Sequence, residues 1–344
     1  MGEFEIIARY FTRPSHRGDV LLGIGDDAAV LDVAPGRKLV VAMDTIVEGV
    51  HFLPGTPAAD IGYRALAVNL SDLAAMGAEP AWMTLSVSLP DADEHWLEGF
   101  SAGLFELAQR HAVALVGGDT VRGPRVVTVQ VAGWVEGDRW LTRAGARPGD
   151  LLMLSGVPGE AAGGLAVMQQ RLEGDAAIQL RQRFLRPEPR VALGRQLRSI
   201  ASAAMDVSDG VVADLHKLCA ASGCAAQLHV DAIPRSAALE TLFPPDACLR
   251  HALTGGDDYE LLFTVSAQRA AALEAALAPV PDAASGAVSP TVGAMPRVTR
   301  IGVICAGEGV HCLRQGHPFE LPPGGEQGGR DDLPQGGYDH SASP

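Results

Sequence analysis

The sequence predicts an α/β protein built from two domains. Apolar runs typical of strands alternate with apolar residues at helical spacing along most of the chain. The 344 residues, of which 47% are hydrophobic, are enough to fill two domain cores. A segment rich in Gly and Pro, Arg143 to Asp150, separates the two halves. We therefore expect an N-terminal domain at residues 1–142, a C-terminal domain at 143–321 and a tail at 322–344.

The first half predicts three helices and six strands. Strict alternation over Ala81 to Leu89 is typical of a half-buried strand, and Asp60 is the predicted N-cap of a helix that ends before Gly77. Apolar residues at helical spacing open the chain, and further apolar runs are separated by Gly and Pro turns. The predicted helices cover residues 6–11, 60–76 and 93–111, and the strands cover 20–24, 28–31, 39–43, 81–89, 113–116 and 126–135.

The second half continues the alternation. A Gly-rich turn precedes the helix at 159–171, but it lacks the G-x-G-x-x-G order of a dinucleotide-binding turn, so we interpret it as a plain strand-to-helix turn. Residues 186–190 (RPEPR) separate two helices, and another helix runs from 210 to about 222. The predicted strands cover residues 151–154, 203–205, 261–265, 301–304 and 309–313. Residues 322–337 predict a flexible linker, after which the chain reads Gly337-Tyr338-Asp339-His340.

Composition excludes several classes of protein. A net charge of −14 argues against nucleic acid or an anionic membrane as a partner, because both need a basic surface. Since no run of 18 apolar residues occurs and Glu3, Glu5 and Arg9 interrupt the N-terminus, we expect a soluble, cytosolic protein.

Two further motifs are absent from the sequence. Neither of the two lysines, Lys38 and Lys217, lies in a P-loop motif. Five cysteines without CxxC spacing indicate buried free thiols rather than a zinc site or a disulfide framework.

Acidic residues flanked by Gly or Ser recur at the predicted ends of strands and helices. The first such segment is residues 23–30 (GIGDDAAV), where adjacent aspartates suit a hard cation such as Mg²⁺. The alternative is an acidic turn in which Asp26 caps and Asp27 is solvated. The same ambiguity applies to the other segments, which surround Asp44, Asp72, Asp119, Asp206 with Asp209, and Asp257. In addition, Asn69, Ser71 and Asp72 interrupt the apolar face of a helix, which is unfavourable unless they face a site or solvent.

Taken together, the motifs resemble thiamine-monophosphate kinases, a family within the AIR-synthetase-like superfamily. The matching segments cover nearly the whole chain and are GIGDDAAV, MDTIVEGVHF, ALAVNLSDLAAMGAEP, GGDT, LTRAGARPGD, DVSDG, GGDDYEL and the terminal GYDH. This resemblance implies an α/β (α+β) two-domain architecture whose N-terminal domain dimerises through its sheet. It also implies ATP-dependent phosphorylation of thiamine monophosphate to thiamine diphosphate, with several Mg²⁺ ions.

The resemblance also implies roles for individual residues. The implied magnesium ligands are Asp27, Met43, Asp44, Asp72, Asp119, Asp206 and Asp209. The implied ATP contacts are Gly118, Asp119, Arg143 and Ser208, and the implied contacts to thiamine monophosphate are His51, Asp257 and Tyr338. Arg143 would offer a planar fork to phosphate oxygens and Tyr338 would stack on the heteroaromatic cation.

Two departures from the family pattern affect these roles. The chain has Ala42-Met43 before Asp44, where the family commonly has hydroxyl residues, so a metal bond there must come from a backbone carbonyl. A glycine-rich insertion lengthens the tether to Tyr338. No general base is expected, because the nucleophile is a phosphate oxygen that is ionised near neutral pH. The catalytic residues are therefore limited to the metal ligands and Arg143.

The alternatives are other AIR-synthetase-like enzymes and a non-catalytic regulator that binds Mg²⁺ and nucleotide. Selenophosphate synthetase is disfavoured because no cysteine precedes Cys219, and hydrogenase-maturation relatives because the chain does not end in cysteine. AIR synthetase itself is a more distant alternative.

Overall fold

The computed structural model describes residues 1–277 and 295–320, and its contacts divide the chain into two compact units. The first unit is Met1–Trp140, and the second begins at Leu141. Both units combine helices with β-sheet, so the predicted α/β class is confirmed. Residues 322–344, including Tyr338, lie outside the described part of the chain.

The first unit contains a four-stranded sheet, a two-stranded hairpin and two long helices. Its helices are α1 (Glu3–Ile6), which continues into a π-helical turn (Ile7–Phe11), α2 (Ala58–Ala75) and α3 (Glu94–Arg110). Its strands are β1 (Val20–Leu22), β2 (Val30–Leu31), β3 (Arg37–Val47), β4 (Glu79–Leu89), β5 (Ala114–Arg122) and β6 (Val126–Glu136). All the helices and strands predicted for this half of the chain are present.

The four-stranded sheet has the order β3-β6-β4-β5, which makes β3 and β5 its edge strands. Only β4 and β5 run parallel, as expected for strands joined through the crossover helix α3. One face packs against α2, and Leu85 and Val129 on that face are buried. The opposite face leaves Leu39, Val41 and Met43 of β3 exposed.

Three local predictions for this unit are wrong. Asp44 and Asp119 are not at strand ends, because β3 continues to Val47 and β5 to Arg122. Both strands are held by ladder pairing with a long neighbour, which overrides the Gly and Asp residues that usually end a strand. Helix α2 begins at Ala58 after Pro57, so Asp60 lies in its first turn and is not the N-cap.

The second unit is a seven-stranded sheet with helices. Its elements in chain order are β7 (Leu151–Ser155), α4 (Glu160–Gln170), α5 (Asp175–Leu185), α6 (Val191–Leu197), β8 (Ala203–Asp206), α7 (Val211–Ser222), β9 (Ala225–His229), α8 (Ala237–Leu242), α9 (Pro245–Thr254), β10 (Leu261–Val265), α10 (Ala270–Leu277), β11 (Val298–Cys305), β12 (Gly309–Arg314) and β13 (His317–Pro318). The order in the sheet is β13-β12-β9-β11-β7-β10-β8. Apart from the parallel pair β9–β12, neighbouring strands run antiparallel.

The core of the second unit lies between the sheet and α7. Leu215 and Leu218 of α7 are fully buried in one cluster with Leu262 and Ile304 of the sheet. A fully buried leucine contributes roughly 2 kcal/mol to folding, so this packing fixes α7 against the sheet. All five cysteines are thiols outside any disulfide, two buried and three half-buried.

No helix within residues 1–277 and 295–320 is long and apolar enough to cross a membrane.

Candidate active site

Asp44 and Asp72 lie in one neighbourhood of the first unit, joined through Asn69. The side-chain oxygen of Asn69 accepts the backbone N–H of Asp44 at 2.9 Å, and its amide nitrogen donates to Ala65 at 2.9 Å. Asp72 follows Asn69 by three residues on α2, which places the two side chains on neighbouring turns of one helix face. The buried Asn69 therefore connects the helix to the edge strand β3, and this connection accounts for one polar interruption of the apolar face.

Asp119 lies at the other edge of the same sheet. Across the sheet Asp119 pairs with Ser86 of β4, which pairs with Thr128 of β6 and then with Thr45 of β3. Asp44 instead pairs with Val129, which is followed by Leu85 and Gly118. Because neighbouring residues of a strand face opposite sides, Asp44 lies on the helix-covered face and Asp119 on the open face. The two strands are three spacings apart, about 14 Å along the sheet. The structure does not bring Asp44 and Asp119 together.

Close packing of neighbouring strands explains why position 118 is a glycine, independently of any ligand. A Cβ atom at this position would lie 1.9 Å from the carbonyl oxygen of Leu85 in the neighbouring strand. Any side chain would therefore displace β5 from β4. Met43, the predicted backbone ligand, lies inside β3 opposite Gln130, and 64% of its surface is exposed on the open face.

Asp27 lies in an exposed turn between β1 and β2. The carboxylate of Asp26 accepts the backbone N–H of Asp27 at 2.9 Å, which is the geometry of a capped acidic turn. The carboxylate of Asp26 is thus engaged within the turn, and the Asp27 residue is exposed at its surface.

His51 is oriented by a backbone hydrogen bond. Its Nδ1 accepts the N–H of Val47 at 3.1 Å, in the turn that follows β3. A neutral imidazole whose Nδ1 accepts a hydrogen bond carries its proton on Nε2. In this tautomer Nε2 is a hydrogen-bond donor, which suits contact with a phosphate oxygen.

In the second unit, two predicted segments that are distant in sequence are hydrogen-bonded to each other. The N–H of Asp257 donates to the carbonyl oxygen of Ser208 at 2.8 Å, and the N–H of Tyr259 donates to that of Val207 at 2.8 Å. A Cβ atom on Gly256 would lie 2.4 Å from the Ser208 oxygen, so only glycine permits this approach. The structure therefore places the segment 206–210 directly beside the segment 256–260.

The second of these segments has an unusual backbone. Asp257 and Tyr259 have φ angles of 68° and 51°, in the left-handed region that non-glycine residues rarely adopt. Between them, Asp258 accepts the N–H groups of Gly159 and Ala161 at 2.7 and 3.3 Å, at the start of α4. Burial raises the pKa of the Asp258 carboxyl group well above its usual range, although these N–H groups partly oppose the shift. Strained backbone of this kind is frequent at functional sites.

Asp214 and Lys217 of α7 hold the segment 206–210 and were not predicted. The Oδ2 atom of Asp214 accepts the N–H groups of Asp209 and Gly210 at 3.0 and 3.1 Å. The ammonium group of Lys217 forms ion pairs with Asp209 and with Asp214. An acidic residue in the first turn of a helix that follows a Gly-ended loop is the sequence signal for such a contact.

Arg143 is anchored at the opposite end of α7. The hydroxyl of Ser222 donates to the carbonyl oxygen of Arg143 at 2.9 Å and accepts the N–H groups of Gly145 and Ala146. Asp214 and Ser222 are eight residues apart on the helix, about 12 Å along its axis. The backbone of Arg143 and the segment 206–210 therefore lie at opposite ends of α7.

The described residues contain no group of three His, Cys, Asp or Glu side chains that could hold a metal ion by themselves. Mg²⁺ is commonly bound by one or two carboxylates, with phosphate and water oxygens as the other ligands. The pair Asp44 and Asp72 fits that pattern. At Asp209 the Lys217 ammonium already contacts the carboxylate, so the site accommodates a cation. The donor atoms present therefore fit Mg²⁺ held jointly with a phosphorylated ligand.

Comparison with known proteins identifies the class. Residues 25–135 match the family model of AIR synthase related protein, N-terminal domain, and residues 147–312 match that of the C-terminal domain. The thiamine-monophosphate kinase of Salmonella typhimurium is 45% identical over 349 aligned positions, which cover 100% of this chain and 99% of the relative. The described architecture is thus that of an AIR synthase related enzyme.

Solved structures of thiamine-monophosphate kinases are also similar to this chain. The crystal structure of thiamine-monophosphate kinase from Stenotrophomonas maltophilia matches with a TM-score of 0.79 and 45% identity, covering 92% of this chain and 96% of that one. A structure of AaThiL complexed with AMPPCP and TMP matches with a TM-score of 0.70 and 31% identity, covering 86% and 89%. This chain belongs to the thiamine-monophosphate kinase family, and it is a phosphotransferase whose acceptor is a phosphate group.

Proposed function

We propose that this chain transfers the γ-phosphoryl group of ATP to thiamine monophosphate and so forms thiamine diphosphate and ADP. The relative that was solved with AMPPCP, an ATP analogue, and TMP supports both substrates. Within this chain, the proposal depends on the hydrogen bond that joins Asp257 to Ser208. The two residues are 49 positions apart in the sequence, and this bond supports a shared site for the substrate contact proposed at Asp257 and the nucleotide contact proposed at Ser208.

Under this proposal the predicted residues keep their roles. Gly118, Asp119, Arg143 and Ser208 contact ATP, and His51, Asp257 and Tyr338 contact thiamine monophosphate. The 12 Å between the two ends of α7 suits a nucleotide whose triphosphate is extended, with Ser208 and Arg143 at different positions along it. Arg143 is exposed, so its guanidinium group is accessible to phosphate oxygens.

Several Mg²⁺ ions are proposed at Asp27, Asp44, Asp72, Asp119, Asp206 and Asp209, with the carbonyl oxygen of Met43 as a further ligand. When bound, they supply positive charge that neutralises the phosphate oxygens during transfer. Since Asp44 and Asp119 lie on opposite faces of the sheet, they belong to different ions. The carboxylates of the chain orient these charges, and Arg143 adds a fixed positive group.

The proposed transfer is in-line and needs no general base. A phosphate oxygen of thiamine monophosphate attacks the γ-phosphorus, the bond from that phosphorus to the bridging oxygen breaks, and ADP leaves. The acceptor phosphate has a second pKa of ~6, so its oxygen is ionised near neutral pH. His51 supports this route, because its Nδ1 accepts the Val47 N–H and its proton lies on Nε2. Such an imidazole donates a hydrogen bond to the phosphate and does not remove a proton.

We also propose a homodimer formed through the open face of the four-stranded sheet. Leu39, Val41 and Met43 expose 51%, 49% and 64% of their surface on that face. At one end of that face Trp82 of β4 and Trp134 of β6 are buried in a cluster with Leu31 of β2. Further along, the central strands carry polar residues such as Ser86 and Gln130, so β3 supplies exposed apolar contact surface. Burial of these side chains against a second copy would be favourable.

An assay of ADP release with and without thiamine monophosphate tests the function. We expect ADP release that depends on both thiamine monophosphate and Mg²⁺, and thiamine diphosphate as the product. ADP release without the acceptor would indicate another AIR-synthetase-like enzyme. Binding of ATP without any turnover would indicate a regulator. Either result would contradict the proposal.

A further inference from the structure

The Lys217 ammonium group bridges two carboxylates of different burial. It contacts Asp209 Oδ2 and lies 2.8 Å from Asp214 Oδ1. The Asp214 side chain is fully buried, whereas the side chains of Asp209 and Lys217 are 28% and 31% exposed. A buried carboxylate that loses its ion-pair partner is strongly unfavourable, whereas a half-exposed one can exchange partners with solvent ions. The bond to Asp209 is therefore the one that can open.

The location of Lys217 restricts what it can do. It is three residues after Asp214 on α7, and side chains at this spacing are neighbours on one helix face. The ammonium group can therefore keep its contact with Asp214 while it moves away from Asp209. Only two of the 27 basic residues, excluding His, are lysines, and the other is Lys38 in the first unit. A lysine ammonium is a compact point charge with rotatable donors, unlike the planar guanidinium of arginine. It can thus contact one carboxylate in place of two without moving the helix.

Three acidic residues, Asp206, Asp209 and Asp214, lie within nine positions of the sequence. Without a nearby cation, repulsion between their carboxylates would be unfavourable. Lys217 offsets that charge in the ligand-free chain. We propose that Lys217 is a tethered cation at Asp209, which Mg²⁺ must displace from that carboxylate when Mg²⁺ and nucleotide bind, while Lys217 keeps its bond to Asp214. This inference rests on the proposed function, and it makes Lys217 a positioning residue that sets the metal requirement.

The exchange has two consequences. The ammonium group of Lys217 is tethered beside Asp209, so it competes with Mg²⁺ for that carboxylate at a high effective concentration. Metal binding at Asp209 is therefore weaker than it would be without the lysine. Removal of the ammonium group should therefore tighten metal binding, by about five-fold for an ion pair that is partly exposed. The hydrogen bonds from the backbone of Asp209 and Gly210 go to Asp214 Oδ2, whereas Lys217 contacts Asp214 Oδ1, so the contacts that shape the segment use a different oxygen.

Lysine NMR tests the exchange directly in the intact chain. Protein labelled with ¹³C at lysine Cε gives signals from two residues only, and Lys38 is the internal control. We expect MgCl₂ with AMPPCP to shift the Lys217 signal and to leave the Lys38 signal in place. An unchanged Lys217 signal, while calorimetry detects bound nucleotide, would overturn the inference and leave the proposed function intact. An equal shift with AMPPCP in EDTA would also overturn it, because phosphate rather than metal would then release the lysine.

A variant pair adds a second measurement. Lys217→Met should bind Mn²⁺ about five-fold more tightly than the unchanged protein in an electron paramagnetic resonance titration, whereas Lys38→Met should bind it equally. Equal or weaker Mn²⁺ binding by Lys217→Met would overturn the inference. If that variant does not fold, the NMR result decides. If calorimetry finds no nucleotide binding at all, both the inference and the proposed function fail.

Discussion

The carboxylate of Asp214 accepts the backbone N–H of Asp209 at 3.0 Å, so a buried side chain of α7 determines the shape of the largely buried acidic segment 206–210. Asp214→Ala would leave the N–H groups of Asp209 and Gly210 without this acceptor. We expect the free energy of unfolding to fall by about 1–3 kcal/mol, together with a loss of kinase activity. Urea denaturation and a kcat measurement check both effects.

Asp214→Asn is the matched variant for this prediction. Its amide oxygen can still accept the two N–H groups, although it no longer pairs with Lys217. It should therefore keep more stability than Asp214→Ala. Equal stability of the two variants would contradict a role for the backbone hydrogen bonds.

Much of the fold could be predicted from the sequence, because its apolar pattern agrees with its turns. The alternation over Ala81 to Leu89 and the helix after Asp93 are both found, with Asp93 as the N-cap of α3. Strand β9 was missed, since its sequence AAQLH has little β-propensity, and pairing with two neighbours stabilises it. Helices α8, α9 and α10 were missed because they are short, and their stability depends on tertiary packing.

The sequence predicts which residues are candidates for the site better than it predicts where they lie relative to one another. Sequence motifs identify Ser208 and Asp257 as candidates, but only the structure reveals the hydrogen bond between their segments. The separation of Asp44 from Asp119 follows from strand register, which the sequence does not specify for edge strands. The sequence shows only that Lys217 lies outside a P-loop motif, because its contact with Asp209 depends on the orientation of α7.

The Asp258 carboxyl group should make the folding stability of the chain decrease as pH rises. Because burial raises the pKa of its carboxyl group, the folded chain holds this proton above pH ~4, where the unfolded chain has lost it. The contribution of Asp258 to stability is therefore greatest at low pH and falls as pH rises from ~4 towards the raised pKa. Asp258→Asn lacks this titration. We expect its melting temperature, relative to the unchanged protein, to increase between pH 4 and 8.

Differential scanning fluorimetry across that pH range measures the difference. Asp138→Asn, in an exposed turn, is the control, and its difference from the unchanged protein should stay nearly constant. A constant difference for Asp258→Asn as well would mean that the Asp258 carboxyl group does not govern stability in this range.

Metal dependence should be complete. Because the phosphates must approach several carboxylates, we expect no ATP binding and no turnover in excess EDTA. Asp72→Asn and Asp119→Asn should each lose activity while circular dichroism shows an unchanged fold, since neither belongs to the apolar core. The exposed Asp138→Asn is again the control and should keep its activity. Full activity in excess chelator would exclude the metal assignment.

The open face of the first unit should form a homodimer. Val41 lies on β3 with 49% of its surface exposed, and Val41→Asp would place a charge in the proposed interface. Light scattering at micromolar concentration should give a dimer for the unchanged protein and a monomer for this variant. Ile178→Asp, on α5 of the second unit with 60% exposure, should remain dimeric. A monomeric unchanged protein would count against the interface.

The role of His51 separates transfer without a base from general base catalysis. His51→Asn keeps an acceptor for the Val47 N–H, since its amide oxygen can take the place of Nδ1, but it loses the Nε2–H donor. We therefore expect KM for thiamine monophosphate to rise more than kcat falls. His51→Gln, whose amide nitrogen reaches closer to the position of Nε2, should bind the substrate better than His51→Asn.

The pH dependence of the rate completes this test. On the acid side, the rate should follow ionisation of the substrate phosphate, whose second pKa is ~6, in the unchanged protein and in His51→Asn alike. Retention of that profile in the variant would place the titrating group on the substrate, because the imidazole is then absent. If His51→Asn instead lowered kcat by the ~10²–10⁴ typical of a lost acid–base group, with unchanged affinity for thiamine monophosphate, His51 would be a general base and the proposed mechanism would be wrong.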